Sequence, residues 1–86
     1  MTSTVEPMRI TVLYFDALRD KSGKEQEIRL THATDVAALY VELAAEYDWD
    51  LPQNRLRAAV NHAFCPWQQP LQTGDTVAFI PPIAGG

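Results

Sequence analysis

The stretch TDVAALYVELAAEY, residues 34–47, decides the fold, because it carries a clear helical repeat between segments that read as strands. Its apolar residues recur at intervals of three and four and predict one stripe along a helix of about three turns: Val36, Leu39, Tyr40, Leu43 and Tyr47. Thr34 is the predicted N-cap, since its hydroxyl can accept a hydrogen bond from an unpaired amide. Asp35 adds a favourable negative charge to the first turn.

Strand-like segments lie on both sides of this helix. Before it, the sequence predicts a strand over 8–15, one helical turn over 16–22 that stops at Gly23, and a strand over 24–30 with Ile28 and Leu30 facing inwards. After it come strands over 56–60, 63–67 and 76–80, with a turn at Asn61-His62. This order predicts an α+β fold, a β-grasp or ubiquitin-like roll, in which one main helix packs on one face of a mixed sheet. The other face of the sheet is then bare.

The composition indicates a single small globular domain. The chain has 86 residues, of which 47% are hydrophobic and 21% charged. We predict a flexible extension over 1–7, the β-grasp domain over 8–80 and an extended tail over 81–86. The net charge of −4 argues against nucleic acid or an anionic membrane as the main partner. A lone cysteine, Cys65, fits a reducing cytoplasm.

The end of the chain is almost free of charge. Between Ala58 and Gly86 the one charged residue is Asp75, although many apolar residues fall in that stretch. One interpretation is a buried terminal hairpin, and the other is an apolar face kept clear of charge for a partner protein. If Tyr14 and Phe79 point to the core, Phe15 and Ile80 point to the bare face, and Phe64 can join them. We predict these three as the partner interface; the alternative is that all three are core.

The side chains offer little chemistry of their own. His32 and His62 are thirty residues apart in sequence and do not form a zinc-ligand pair, and we expect His62 to be a turn residue. Cys65 has no neighbour in sequence that would activate it as a nucleophile. The glycines do not have the spacing that cradles a phosphate. We therefore predict no metal or cofactor bound by this chain, and a reactive group that is not a side chain.

The end of the chain supplies a candidate for this reactive group. Pro81-Pro82 predicts a stiff, extended exit from the last strand, followed by Ile83, Ala84, Gly85 and Gly86. Four residues reach roughly 13 Å, and glycines can thread a channel too narrow for side chains. The group delivered is the carboxylate of Gly86, which adenylation would convert into a reactive anhydride. ATP and magnesium then belong to the activating enzyme. The plain alternative is a disordered terminus.

The sequence resembles the small subunit of molybdopterin synthase. The resemblance rests on a first strand and short helix, a helix start and a terminal block: Val12-Leu13-Tyr14-Phe15 with Leu18-Arg19; Thr34-Asp35-Val36 with Leu39; and Ala58-Ala59-Val60-Asn61, Pro70-Leu71, Gly74-Asp75, Val77-Ala78-Phe79, Pro81-Pro82 and Gly85-Gly86. It covers nearly the whole chain from Met8. The chain departs from the family pattern at Thr76 and over 63–69, and neither departure touches the tail.

The resemblance implies a sulfur carrier that is not itself catalytic. An E1-like enzyme would adenylate Gly86, a sulfur donor protein would supply the sulfur, and the resulting thiocarboxylate would enter the large synthase subunit in a heterotetramer. There it would give sulfur to cyclic pyranopterin monophosphate to build the dithiolene of the molybdenum cofactor. Three alternatives stay open: a sulfur carrier for thiamine or tRNA thiolation, a ubiquitin-like modifier joined to lysines through Gly86, and an interaction module with an inert tail.

Overall fold

The computed structural model describes residues 6–81. Their elements follow in this order: β1 (Met8–Tyr14), α1 (Asp16–Ser22), β2 (Gln26–Thr31), α2 (Val36–Tyr47), a 3-10 turn (Gln53–Arg55), β3 (Arg57–Val60), β4 (Ala63–Cys65) and β5 (Thr76–Ile80). The strands form one mixed sheet in the order β2-β1-β5-β3-β4. This confirms the predicted α+β roll, with α2 as its main helix. The predicted extension falls outside the described residues over 1–5, and the predicted tail over 82–86.

The first and last strands of the described chain lie side by side in the middle of the sheet. β1 pairs with β5 in parallel and with β2 in antiparallel register, and β5 pairs with β3 on its other side. The alternate residues Ile10, Val12 and Tyr14 of β1 point to the helix side and are buried there. α2 covers that side with its apolar stripe.

Most of the aromatic residues lie in or against the core. Tyr40 packs edge-on against Phe79 with 5.2 Å between ring centroids, and Trp67 stacks on Phe79 at 5.8 Å. Trp49 lies 5.6 Å from the rings of both Tyr14 and Tyr40. Trp49 comes from the loop after α2, so the segment that interrupts the helical pattern still supplies a core residue.

Two local predictions were wrong. The N-cap of α2 is Asp35, whose carboxylate accepts a hydrogen bond from the Ala38 amide at 2.8 Å, and not Thr34. Ile28 and Leu30 do not face inwards: they are 64% and 60% exposed. The register explains the second error, because Ile28 pairs with Thr11 on the face opposite the buried residues of β1.

Polar residues of β2 take the inward positions instead. Arg29 lies beneath α2, where its Nε donates to Glu42 and its Nη2 to Glu46, each at 2.6 Å. Glu27 accepts hydrogen bonds from the hydroxyls of Tyr14 and Tyr47. The flank of α2 over β2 is therefore closed by ion pairs and hydrogen bonds rather than by apolar contact.

Candidate functional site

The bare face of the sheet carries an apolar groove of about 230 Å³. Its lining residues come from four strands and the turns beside them: Leu13, Phe15, Ala59, His62, Phe64, Thr76, Ala78 and Ile80. None of these side chains is an acid, a lysine or an arginine. We refer to this set as the docking groove.

The three residues predicted as a partner interface all line this groove. Phe64 is 59% exposed, Phe15 is 41% exposed, and Ile80 is half-buried. Tyr14 and Phe79, the sequence neighbours of Phe15 and Ile80, point to the core, as the alternation of strand residues requires. The structure thus brings Phe15, Phe64 and Ile80 together on the bare face, and their contact with a partner stays a prediction.

Arg57 forms one rim of the docking groove. Its guanidinium carbon lies 4.1 Å from the centroid of the Phe64 ring, which is a cation–π contact. Arg57 is also the register partner of Ile80 on the adjacent strand. The exposed phenyl ring is therefore held against the sheet by a cation, and the groove has a positive rim.

A tight turn places His62 in the docking groove. Asn61 and His62 both have left-handed backbone angles, with φ of 53° and 71°. The Asn61 side chain fixes the turn, because it donates to Asp75 at 3.0 Å and accepts from the Thr76 amide at 2.9 Å. Asp75 also accepts from the Gln72 amide at 2.8 Å. The lone charged residue of the terminal third is thus engaged in the turns and does not line the groove.

The chain leaves the sheet beside the docking groove. β5 ends at Ile80, a lining residue, and Pro81 follows as the last described residue. Because β5 is hydrogen bonded to β1 and to β3, this exit point is fixed from both sides. Pro82, Ile83, Ala84, Gly85 and Gly86, predicted as the tail and the reactive end, lie outside the described residues.

Two other sequence candidates, Cys65 and His32, lie outside the groove lining. Burial raises the pKa of the Cys65 thiol, which disfavours the thiolate that a nucleophile needs. His32 lies in the loop before α2, far along the chain from the groove residues. Within residues 6–81, no three side chains of the kinds that bind metals come together. No helix in that range has the length and apolar character needed to cross a membrane.

A charged cluster under α2 stabilises the fold rather than forming a second site. Burial favours the neutral form of Glu27, but hydrogen bonds from Tyr14 and Tyr47 and the charges of Lys24 and Arg29 outweigh it and lower its pKa. Hydrogen bonding to Arg29 lowers the pKa of Glu46. Burial, with the hydrogen bond to Glu27, raises the pKa of Tyr14 far above its ordinary range. All of these groups are held in the charge states that suit the folded protein at neutral pH.

Sequence reasoning missed five lining residues of the groove and its rim. Leu13, Thr76 and Ala78 share the face of Phe15 and Ile80 by simple alternation, so the period of two was a signal for them. Ala59 follows from its pairing with Phe64 and Ala78. Arg57 and the groove position of His62 depend on register and turn geometry, which the sequence does not display.

Comparisons with known proteins give independent evidence about the family of this chain. The model of the ThiS family matches residues 12–86. The molybdopterin synthase sulfur carrier subunit of Mycobacterium tuberculosis is 35% identical over 82 residues, covering 92% of this chain and 99% of that protein. The one from Escherichia coli is 38% identical over 80 residues, covering 90% of this chain and 99% of that protein.

A solved structure supports the fold. It is the complex of subunits 1 and 2 of the molybdopterin-converting factor from Helicobacter pylori, and one of its chains matches with a TM-score of 0.62. That match has 24% sequence identity and covers 92% of this chain and all of the other. The family model, the two relatives and the sheet topology agree, and the chain belongs to the ThiS family.

Proposed function

We propose that this chain is the sulfur carrier subunit of a molybdopterin synthase and that it delivers sulfur on the carboxyl group of Gly86. The observation that carries the proposal is the nearly full-length match to two relatives that bear that name, at 35% and 38% identity. Among the described residues, burial raises the pKa of the Cys65 thiol, which agrees with a carrier whose reacting group is the chain end and not this side chain. The proposed place of action is the cytoplasm, where a lone thiol stays reduced.

The chemistry is activation of a carboxylate followed by substitution with sulfur. The Gly86 carboxylate attacks the α-phosphorus of ATP on an E1-like enzyme, which forms an acyl adenylate and releases pyrophosphate. A sulfur donor protein then supplies sulfur at the hydrosulfide level, which attacks the carbonyl carbon and displaces AMP. The product is a thiocarboxylate, and no oxidant or reductant is consumed. ATP and magnesium are held by the activating enzyme, so this chain needs no cofactor of its own.

The docking groove gives the carrier a surface for the large synthase subunit. It is apolar at its centre, it has a cation on its rim, and the chain runs out of the sheet beside it. The matched Helicobacter pylori chain belongs to a complex of two subunits, which supports a partner of that kind here. A heterotetramer, with one carrier at each end of a dimer of large subunits, is the proposed assembly. The net charge of −4 and the anionic tail favour a basic channel in the partner.

Intact-mass spectrometry tests the proposed reaction. We expect incubation with the E1-like enzyme, MgATP and a sulfide source to add about 16 Da, the difference between sulfur and oxygen, to the chain. A variant with one alanine appended after Gly86 has the same folded body and should gain no mass. Equal mass gain by both proteins, or by neither when the enzyme is shown to be active on another carrier, would contradict the proposal.

The same experiment in cells separates the carrier from a protein modifier. A carrier appears as a free chain with the added mass, and its loss abolishes molybdenum cofactor formation. A modifier appears in adducts through an isopeptide bond between Gly86 and a lysine of another protein. Restored cofactor synthesis in a strain that lacks its own carrier would distinguish molybdopterin synthesis from thiamine or tRNA thiolation.

A further inference from the structure

β2 forms an edge of the sheet, and half of its backbone groups point away from it. The Tyr14 amide donates to the Glu25 carbonyl at 2.8 Å, and the Thr11 amide instead donates to Asp75 on the β5 side. Even-numbered residues of β1 therefore bond to odd-numbered residues of β2. It follows that Gln26, Ile28 and Leu30 direct their N–H and C=O groups outwards. Within residues 6–81, no strand pairs with them on that side.

Two of the three β2 side chains on the bare face of the sheet are apolar. Ile28 and Leu30 project from the bare face and are more than half exposed. Exposed sheet edges are usually protected by charges or proline, and here the charged residues Glu27 and Arg29 lie on the other face, under α2. The edge thus offers hydrogen-bonding groups and apolar side chains together.

The sequence of β2 matches itself in one antiparallel register. Two β2 strands related by a twofold axis can exchange backbone hydrogen bonds only through their outward-pointing residues. Three registers near the middle of the strand meet this condition. One centres on Glu27 and brings it opposite its own copy, and one centres on Arg29 with the same result. Like charges directly opposite destabilise a sheet. The third centres on Ile28 and places each Glu27 opposite the other chain's Arg29, at a non-hydrogen-bonded pair where side chains are closest.

We propose that β2 pairs with the β2 strand of a second copy of this chain, antiparallel and with the twofold axis at Ile28. Ile28 faces its own copy, and Gln26 faces Leu30 of the other chain on each side of the axis. Each of these pairs exchanges two backbone hydrogen bonds. The two sheets join into one of ten strands, with both pairs of Ile28 and Leu30 packed on its bare face. The docking groove stays open, because its lining comes from the other strands.

Sedimentation velocity over a concentration series reaching the millimolar range tests the pairing. We expect the full-length chain to dimerise and the Ile28→Lys variant to be monomeric, because the two lysines would meet at the axis. Leu30→Pro should have the same effect, since it removes an outward N–H that β1 does not use. Val41→Lys is the matched control: Val41 is also 60% exposed, but it lies on α2, on the flank turned away from Glu42 and Glu46.

Disulfide cross-linking tests the proposed register of the two β2 strands. In a Cys65→Ser background, Ile28→Cys should form an intermolecular disulfide on oxidation, and Val41→Cys should not. Circular dichroism confirms that each variant is folded before it is compared. A chain that stays monomeric throughout the series, or a dimer that survives both β2 substitutions, would overturn the proposal. Neither result bears on the mass gain at Gly86, so the sulfur carrier proposal stands or falls separately.

Discussion

Phe64 allows a quantitative test of the docking groove. Phe64 is 59% exposed in the free chain, and an aromatic side chain buries on the order of 150–250 Å² when it is fully covered. Complete coverage by a partner would therefore remove about 90–150 Å² of apolar surface from water. At about 25 cal/mol per Å², that contributes roughly 2–4 kcal/mol to docking.

The change to make is Phe64→Ala. We expect the dissociation constant for the large synthase subunit to rise roughly 30- to 900-fold. Isothermal titration calorimetry measures it directly, and it also reports the less negative heat-capacity change that follows when less apolar surface is buried. Part of this loss of affinity comes from Arg57, because its guanidinium no longer has the Phe64 ring to stack on.

Two controls keep the result interpretable. Val41→Ala removes an equally exposed apolar side chain from α2 and should leave the affinity unchanged. The thermal unfolding of Phe64→Ala shows whether the fold survives. A folded variant that binds the large subunit within threefold, or about 0.7 kcal/mol, of the parent would refute the assignment of Phe64 to the interface.

Three further outcomes follow from contacts in the fold. Asp35→Ala should lower the free energy of unfolding by about 1 kcal/mol and Thr34→Ala by much less, because Asp35 caps α2. Urea denaturation measures both losses, and a larger loss for Thr34→Ala would contradict the assignment of Asp35 as the N-cap. His62→Gly should raise stability by about 1 kcal/mol by relieving a left-handed angle, and His62→Ala, which keeps a Cβ, should not; equal unfolding midpoints for both variants would contradict this. The lowered pKa values of Glu27 and Glu46 stabilise the fold above their ordinary value of 4.5, and this contribution should disappear as pH falls through the lower folded values; a urea midpoint as high at pH 3 as at pH 7 would count against it.

The element order could be predicted because helical and strand periods differ and each element is short enough to show one of them. The stripe from Val36 to Tyr47 and the alternation in β1 both appear in the structure. β2 was predicted in the right place with the wrong face inwards. Local alternation favours burying Ile28 and Leu30, but the partners of Arg29 come from α2, a long way along the chain. A strand whose inward positions are polar cannot be recognised until its counter-charges are located.

Part of the docking groove could also be predicted from the sequence. The positions of Phe15 and Ile80 follow from those of Tyr14 and Phe79, since neighbouring strand residues point to opposite faces. The contact of Arg57 with Phe64 requires the pairing of β3 with both neighbours. The groove position of His62 requires two successive left-handed residues, and its sequence neighbours indicate a turn but not where its side chain lies.

The position of β5 has a consequence for biosynthesis. β1 and β2 form one hairpin and β3 and β4 another, and among the described strands β5 alone joins them. A nascent chain that has been translated only through β4 lacks the strand that joins the two hairpins in the sheet, and the pairing of β1 with β5 can form only after most of the polypeptide has been made. The five-stranded sheet therefore forms only in chains translated at least to Ile80, so a protein that recognises this sheet distinguishes folded chains from shorter nascent ones.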